Sequence, residues 1–367
     1  MINILQVVPV LSYGGIEKII QNYYSAIDHN QFHFDYVSHG TFIDYNQQIL
    51  DGGSQIFFLP TIGKVGFSVY KTQIKSNINL EDYDIVHIHT GDITGLYAKA
   101  YKKAGAKKII CHAHTAHYMS QLARIAKIYF KYLALKYSDF RLSCGILAGN
   151  YCFGKNNYTL LPNSIEYKKF LEVSDIEKNQ LKSELSIPEN SIILGHVGSF
   201  CRQKNHLFLI QVFNKLLQIN SNYVLILVGD GPDIEKYKNY AKRFDIEKSV
   251  YFLGNRNDVN VLMNIFDLFI FPSLYEGLPV VGVEAQASGT KCILSDEIDR
   301  TVDLGIGLVD FLPIHNGTDI WVKKIEESLY EKKKVPSEIE IVKAIIQNGY
   351  DSEISVDNLS NIYKSLC

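Results

Sequence analysis

The sequence lacks several features that would place it in a class at once. None of its six cysteines forms a C-x-x-C pair, and no stretch reaches the roughly 18 apolar residues in a row that a membrane-spanning helix needs. The formal net charge is only −2 over 367 residues, which argues against a nucleic-acid-binding protein. The N-terminal segment has no basic opening, so we expect a strand there rather than a signal peptide. We therefore expect a cytoplasmic protein whose cysteines are buried thiols.

Short apolar runs alternate with amphipathic stretches along the whole chain, which is the pattern of βαβ units around parallel sheets. Seven such runs fall in the first half and six in the second. We expect an α/β protein with two Rossmann-like, doubly wound parallel-sheet domains. The charged stretch from Lys168 to Pro188 breaks the regularity, so the predicted domains are residues 1–169 and residues 170–349.

One segment of the second half has the form of a strand end, a tight turn and a helix start. A glycine there permits the turn, and a proline suits the first helical position, where its missing N–H costs nothing. Backbone N–H groups at such a helix start point at an anion, which the helix dipole favours. Two carboxylates flank this position, so a sugar nucleotide could contact both of them and the N–H groups. The expected donor-binding residues are Gly277, Leu278, Pro279, Val280 and Glu284, beside Glu276.

The frame E-G-L-P-V-V-G-V-E-A-Q-A-S-G that begins at Glu276 resembles the retaining GT-B glycosyltransferases of family 4. The resemblance covers most of the chain and is strongest over residues 192–296. It implies that Glu276 lies at the donor sugar and that Glu284 accepts a hydrogen bond from the nucleotide ribose. It also implies two domains that face a central cleft and a C-terminal helix, here residues 350–367, that crosses back to the first domain. A plain terminal helix of the second domain is the alternative.

The loop after the first strand of the second half resembles a diphosphate clamp of the same family, Gly-Arg-hydrophobic-x-x-x-Lys. Lys204 falls on the family lysine, whereas Ser199 stands where the family has its arginine. One of the two expected cations is therefore absent from its usual place. Arg202, two residues before the lysine, could reach in from the same loop, and a plain surface position is the alternative for it.

Two features of the first half resemble further parts of the family's site. Gly14 and Gly15 follow the first strand and precede a helical pattern, and the family uses this loop beside the donor diphosphate, although a tight turn alone would need the same residues. His114 ends a strand at the place where family members carry a histidine next to the transferred sugar. For His87 and His89, on the preceding strand, we expect core packing.

Metal-binding patterns are scarce. No D-x-D motif stands in a strand-to-turn context, and the eleven histidines and six cysteines show no ligand-like spacing. We expect no metal and no other cofactor, because fixed cations and amides can neutralise the leaving diphosphate. The resemblance implies a front-face reaction in which the departing phosphate oxygen takes the acceptor's proton. The expected catalytic residues are His114, Glu276 and Lys204.

The N-terminal half carries the basic residues. Residues 1–170 hold 17 Lys and Arg against 11 Asp and Glu. Arg124, Lys127 and Lys131 form a basic stripe at helical spacing in an aromatic-rich segment. Such a surface can rest on anionic lipid, and a solvated helix face is the alternative. We expect peripheral contact with the inner face of the cell membrane.

The resemblance implies a retaining hexosyltransferase, and the missing D-x-D motif adds the expectation that it is metal-independent. Its expected donor is a nucleotide sugar, a UDP-sugar, and its expected acceptor is a glycan or a polyprenyl-diphosphate-linked oligosaccharide in capsule or exopolysaccharide biosynthesis. Two other classes stay open: a sugar-nucleotide epimerase, which shares the GT-B fold, and a non-catalytic partner of another glycosyltransferase.

Overall fold

The computed structural model describes residues 1–9, 15–40, 47–114, 123–330 and 335–367. The chain forms two compact units, Met1–Ser164 with Gly349–Cys367, and Ile165–Asn348. The sequence predicts a division after residue 169 and assigns residues 350–367 to the first domain.

The first unit is built on one parallel sheet of seven strands in the order β3-β2-β1-β4-β5-β6-β7. The strands are β1 (Ile2–Val8), β2 (Phe32–Ser38), β3 (Ile56–Phe58), β4 (Ile85–Ile88), β5 (Lys108–Ala113), β6 (Phe140–Ser143) and β7 (Thr159–Leu160). Between them run α1 (Gly15–Ala26), α2 (Gln47–Asp51), α3 (Ile62–Val65), α4 (Phe67–Asn77), α5 (Thr94–Ala104), α6 (Ala123–Tyr137) and α7 (Ile146–Cys152).

The second unit has its own parallel sheet, of six strands in the order β10-β9-β8-β11-β12-β13. The strands are β8 (Ile192–Val197), β9 (Tyr223–Val228), β10 (Val250–Phe252), β11 (Leu268–Phe271), β12 (Cys292–Ser295) and β13 (Val309–Leu312). Its helices are α8 (Lys168–Leu171), α9 (Asp175–Glu184), α10 (His206–Ile219), α11 (Ile234–Arg243), α12 (Val259–Ile265), α13 (Val280–Ala287), α14 (Asp319–Tyr330) and α15 (Glu338–Gln347).

The last helix, α16 (Ser352–Leu366), belongs to the first unit. Leu359 of α16 shares one buried cluster with Ile20 of α1 and with Ile4, Ile85 and Ile110 from three neighbouring strands. Burying an aliphatic side chain of this size stabilises the fold by about 1.5–3 kcal/mol. The face of the sheet under α1 and α16 therefore carries a hydrophobic core of the unit.

Both sheets have the doubly wound order that the alternating apolar runs predict, so the α/β prediction is confirmed. Ligands of such folds lie beyond the carboxyl ends of the strands. The stretch of residues 168–188 contains two helices in a row, α8 and α9, with no strand between them, so the alternation of strands and helices does break there. Ser174 and Glu177 form a capping box at the start of α9, and such a box satisfies two backbone N–H groups that a helix start leaves open.

No helix in the described part of the chain combines the length and the apolar character that a membrane crossing requires. The exposed side of α6 differs from the basic stripe that the sequence suggests. Lys127 and Lys131 are half-buried, and the Lys127 ammonium lies 3.4 Å from the centroid of the Tyr151 ring. The side chain of Arg124 lies outside the described residues. The exposed residues are Ile128, Tyr129, Tyr132, Leu135 and Lys136, which we call the α6 face.

Candidate functional site

A lysine and a glutamate form a nearly buried ion pair beyond the carboxyl ends of β8 and β11. The Lys204 Nζ lies 2.6 Å from a Glu276 carboxylate oxygen, and the two side chains are 16% and 9% exposed. The same ammonium lies 4.8 Å from the centroid of the Phe271 ring. An ammonium group has three donors, so two remain for a ligand after the bond to Glu276.

Hydrogen bonds between the two loops hold this pair in place. The Gln203 side chain donates to the Tyr275 carbonyl at 3.0 Å, and the Leu274 N–H donates to the Gln203 carbonyl at 2.8 Å. Asn205, whose backbone is left-handed with φ 56°, donates from its amide to the Pro272 carbonyl at 3.2 Å. The loop after β8 and the loop after β11 are therefore joined by hydrogen bonds. These bonds set the position of Lys204 relative to Glu276.

Glycines let a third loop, after β9, pack against the loop after β8. Gly229 has φ 130°, and a side chain on it would overlap the carbonyl oxygen of Gly198. A Cβ on Gly231 would lie 2.6 Å from the Phe200 carbonyl oxygen. A Cβ on Gly198 would press on the Lys204 side chain at 3.2 Å. Only glycine fits the approaches at Gly229 and Gly231, because a Cβ there would overlap backbone atoms.

The helix α13 starts at Val280, shortly after the glutamate of this pair. Pro279 is its N-cap, with φ −76° and ψ 98°, and no side-chain hydrogen bond caps it among the described residues. The expectation that proline occupies the first helical position is off by one residue, because the helix begins at Val280. Gly277 and Leu278 are buried beside Glu276. The first-turn N–H groups and the helix dipole make this end a place where an anion is stabilised.

The other predicted donor-binding residues differ in how exposed they are. Glu284 is half-buried in the second turn of α13, whereas Ser199 and Arg202 are exposed. Gly15 begins α1, and Gly14 lies outside the described residues. The second unit therefore brings Lys204 and Glu276 into contact and sets α13 beside them.

His114 lies just beyond β5 of the first unit, where it is 5% exposed and part of a buried cluster of four histidines. His87 and His89 of β4 and His112 of β5 are the other members, with ring centroids 4.0–5.4 Å apart between neighbours. Burial lowers the pKa of His114 to about 4, against the opposing effect of Asn163, and it holds the pKa values of the other three well below the ordinary range. All four imidazoles are therefore neutral at pH 7.

Three of these histidines could in principle approach one ion. His87, His89 and His112 each offer a nitrogen within 4.8 Å of the other two. Both ring nitrogens of His89 are already hydrogen-bonded, to Gln6 at 2.9 Å and to His114 at 2.8 Å. An ion would have to break one of these bonds of His89. His87, His89 and His114 belong to a hydrogen-bonded network, whereas neither ring nitrogen of His112 has a hydrogen-bond partner among the described residues. For His87 and His89 the sequence predicts core packing. The network itself was not predicted, although two His-x-His motifs on adjacent strands signal it.

Known proteins resemble this chain in sequence and in fold. The family model for group 1 glycosyl transferases matches residues 177–304. A putative glycosyltransferase of Bacillus subtilis, EpsF, is 32% identical over 98% of this chain and 96% of its own length. An Escherichia coli protein named UDP-Gal:alpha-D-GlcNAc-diphosphoundecaprenol alpha-1,3-galactosyltransferase is 30% identical over 80% of this chain and 78% of its own length.

Solved structures give the same result for the fold. Anabaena HepE, crystallised with UDP and glucose, superposes with a TM-score of 0.81 over the whole of both chains at 16% identity. WaaG, a glycosyltransferase of lipopolysaccharide biosynthesis, has a TM-score of 0.73 at 15% identity and covers 98% of this chain and 99% of its own. Such low identity supports the fold alone, and the sequence relatives establish the family. The chain is a GT-B protein that belongs to the group 1 glycosyltransferases.

Proposed function

We propose that this glycosyltransferase is a retaining, metal-independent hexosyltransferase of the family 4 type. Its proposed donor is a UDP-sugar, and its proposed acceptor is a lipid-linked glycan of capsule or exopolysaccharide biosynthesis. The observation that carries the proposal is the Lys204–Glu276 pair, at 2.6 Å, beside the start of α13. The named activity of the E. coli relative supports the donor and acceptor classes.

In this proposal the donor diphosphate lies between Lys204 and the start of α13. Because the ion pair has no net charge, the attraction for the diphosphate comes from the two remaining Lys204 donors and the α13 N–H groups. Charge grows on the diphosphate as the sugar leaves, so these donors bind the transition state more strongly than the ground state. The departing phosphate oxygen takes the proton of the attacking acceptor hydroxyl, and the sugar is transferred on the same face.

Glu276 and His114 are proposed to contact the transferred sugar, and Glu284 the nucleotide ribose. A carboxylate held by a lysine has its second oxygen and further lone pairs available for sugar hydroxyls. This role favours a binding carboxylate over a nucleophile. The sequence relatives are named glycosyltransferases rather than epimerases, which favours transfer over epimerisation.

The test is an assay with radiolabelled UDP-hexoses and UDP-N-acetylhexosamines, each with and without diphosphoundecaprenol-linked saccharides. Transfer predicts labelled lipid whose new linkage keeps the donor's anomeric configuration, as read by NMR. An epimerase would convert the nucleotide sugar without acceptor, and a non-catalytic partner would do neither. Inversion at the anomeric carbon would contradict the retaining mechanism.

We predict that a chelator leaves transfer unchanged. The reason is that Lys204 and backbone N–H groups are proposed to carry out the charge neutralisation that a divalent ion performs elsewhere. Initial rates should agree within about twofold after EDTA treatment. A loss of activity that Mn²⁺ or Mg²⁺ restores would overturn metal independence.

We propose that the first unit binds the inner surface of the cell membrane through the α6 face. Ile128 is 69% exposed, Tyr132 is 52% exposed and Leu135 is 36% exposed. The Lys99 ammonium donates to the Tyr129 hydroxyl at 3.1 Å, and the Lys136 ammonium to that of Tyr132 at 3.1 Å. Apolar residues ringed by tyrosines and lysines suit the interface of an anionic bilayer, where each lysine contributes about 1 kcal/mol.

The triple variant Ile128→Asn, Tyr132→Asn, Leu135→Asn should bind phosphatidylglycerol vesicles at least about tenfold more weakly than the wild type, because it removes the apolar contact area. Sedimentation with vesicles measures this. The matched control is Ile219→Asn, which removes an exposed aliphatic residue from the second unit and should leave binding unchanged. Equal sedimentation of wild type and triple variant, or none by the wild type at low salt, would leave the α6 face as a solvated surface.

A further inference from the structure

A chain of hydrogen bonds links the last helix of the protein to His114. The Tyr363 hydroxyl of α16 lies 2.8 Å from the His87 Nδ1 and accepts a hydrogen bond from the Gln6 side-chain amide at 3.2 Å. The Gln6 carboxamide oxygen lies 2.9 Å from the His89 Nε2, and the His89 Nδ1 lies 2.8 Å from the His114 Nε2. All of these side chains are at most 5% exposed.

The hydrogen bonds from Gln6 through His89 to His114 have a definite order of donors and acceptors. A carboxamide oxygen only accepts, so the His89 Nε2 that faces Gln6 must carry the proton. Neutral imidazole has one proton, which leaves the His89 Nδ1 as an acceptor for the His114 Nε2 proton. Because His114 is neutral as well, its single proton is on Nε2. Its Nδ1 is then an unprotonated acceptor. This nitrogen makes no hydrogen bond of normal geometry among the described residues, although the side chain of Asn163 lies near enough to raise the pKa of His114.

We propose that Gln6, His89 and Tyr363 are positioning residues that hold His114 as the Nε2-protonated tautomer, so that its Nδ1 accepts a hydrogen bond from a hydroxyl group of the substrate. The inference rests on the proposed contact of His114 with the sugar. It adds the direction of that contact, since His114 accepts and the sugar hydroxyl donates.

Gln6 is the residue that sets the direction. If the Gln6 amide were turned, its nitrogen would face His89. Donor and acceptor would then exchange roles in each hydrogen bond from Gln6 to His114. His114 would then present an N–H and would favour an acceptor atom of the substrate. Tyr363 keeps the Gln6 nitrogen on its own side, because its hydroxyl accepts a hydrogen bond from the Gln6 amide and also lies 2.8 Å from the His87 Nδ1. The docking of α16 and the tautomer of His114 are therefore coupled.

The first test reads the tautomer directly. NMR spectra of the full-length protein with ¹⁵N-labelled histidine distinguish protonated from unprotonated ring nitrogens, and the spectrum of His114→Asn assigns the His114 signals. We expect an unprotonated Nδ1 and a protonated Nε2 in the wild type. Gln6→Met should replace this pattern by a mixture of tautomers or by the opposite one. A protonated Nδ1 in the wild type, or a pattern that Gln6→Met leaves unchanged, would overturn the proposal.

Tyr363→Phe provides a milder test, because it removes one oxygen atom and keeps the ring in the core. Its matched control is Tyr36→Phe, which removes a hydroxyl from the same core cluster where that hydroxyl has no partner among the described residues. We expect a mixed His114 tautomer in Tyr363→Phe and the wild-type pattern in Tyr36→Phe. The same change in both variants would mean that core packing, and not the hydrogen bond, controls His114.

Kinetics separate a positioning role from a purely structural one. Gln6→Met and His89→Met should lower kcat at saturating donor by about tenfold, the cost of a misdirected buried hydrogen bond. His89→Gln should recover most of kcat, because its amide offers a donor to Gln6 and an acceptor to His114. The NMR outcome does not depend on the proposed glycosyl transfer. If Gln6→Met changed the tautomer and left kcat unaltered, the positioning role would be refuted even though the hydrogen-bond chain exists.

Discussion

Replacing Lys204 by methionine should lower kcat about 100-fold at saturating donor, because the variant loses the only side-chain cation proposed to face the leaving diphosphate. Methionine keeps most of the apolar stem, so packing on Phe271 changes little. Initial-rate measurements with UDP-sugar and acceptor check the prediction. The control is Lys215→Met, because Lys215 also forms a 2.6 Å ion pair, with Asp319, but on an exposed helix surface. It should retain wild-type turnover.

Loss of Lys204 also leaves the Glu276 carboxylate unpaired and nearly buried, which can cost about 3 kcal/mol of stability. The double variant Lys204→Met, Glu276→Gln measures this stability effect, because it removes the unpaired charge. We expect it to recover the melting temperature but not the turnover. If turnover returned together with stability, Lys204 would be a structural residue and the diphosphate would lie elsewhere.

Glu284→Ala should weaken the binding of UDP by about 10- to 100-fold, since a hydrogen bond to a charged acceptor contributes about 1.5–3 kcal/mol. Isothermal titration calorimetry with UDP measures the change. Glu327→Ala is the control, because Glu327 is an exposed glutamate on a helix of the same unit, with only a 3.7 Å contact to Lys323. Equal UDP affinity in the wild type and Glu284→Ala would remove Glu284 from the donor site.

Most of the fold could be predicted from the sequence. Apolar runs of strand length locate the strands of both sheets, because a strand buried on both faces is apolar along its whole length. The helices α8 and α9 were not predicted at residues 168–188, where the sequence is charged. A helix that packs only one side on the core needs few apolar residues, so its composition resembles that of a loop.

The candidate site could be predicted in part. The spacing of Glu276 and Glu284 is local, and their helix start is visible in the sequence. The contact of Lys204 with Glu276 spans 72 positions, and it depends on two loops that hydrogen-bond to each other. The bonds from Tyr363 to Gln6 and His87 span 357 and 276 positions, and they exist because α16 packs on the first sheet. Such contacts follow from topology, which residue patterns alone do not specify.

The most direct measurement is a crystal structure of the protein with bound UDP. The account predicts density for the diphosphate within hydrogen-bonding distance of the Lys204 Nζ and of the first-turn N–H groups of α13, with the ribose hydroxyls at Glu284. A diphosphate bound away from both Lys204 and α13 would contradict the proposed donor site.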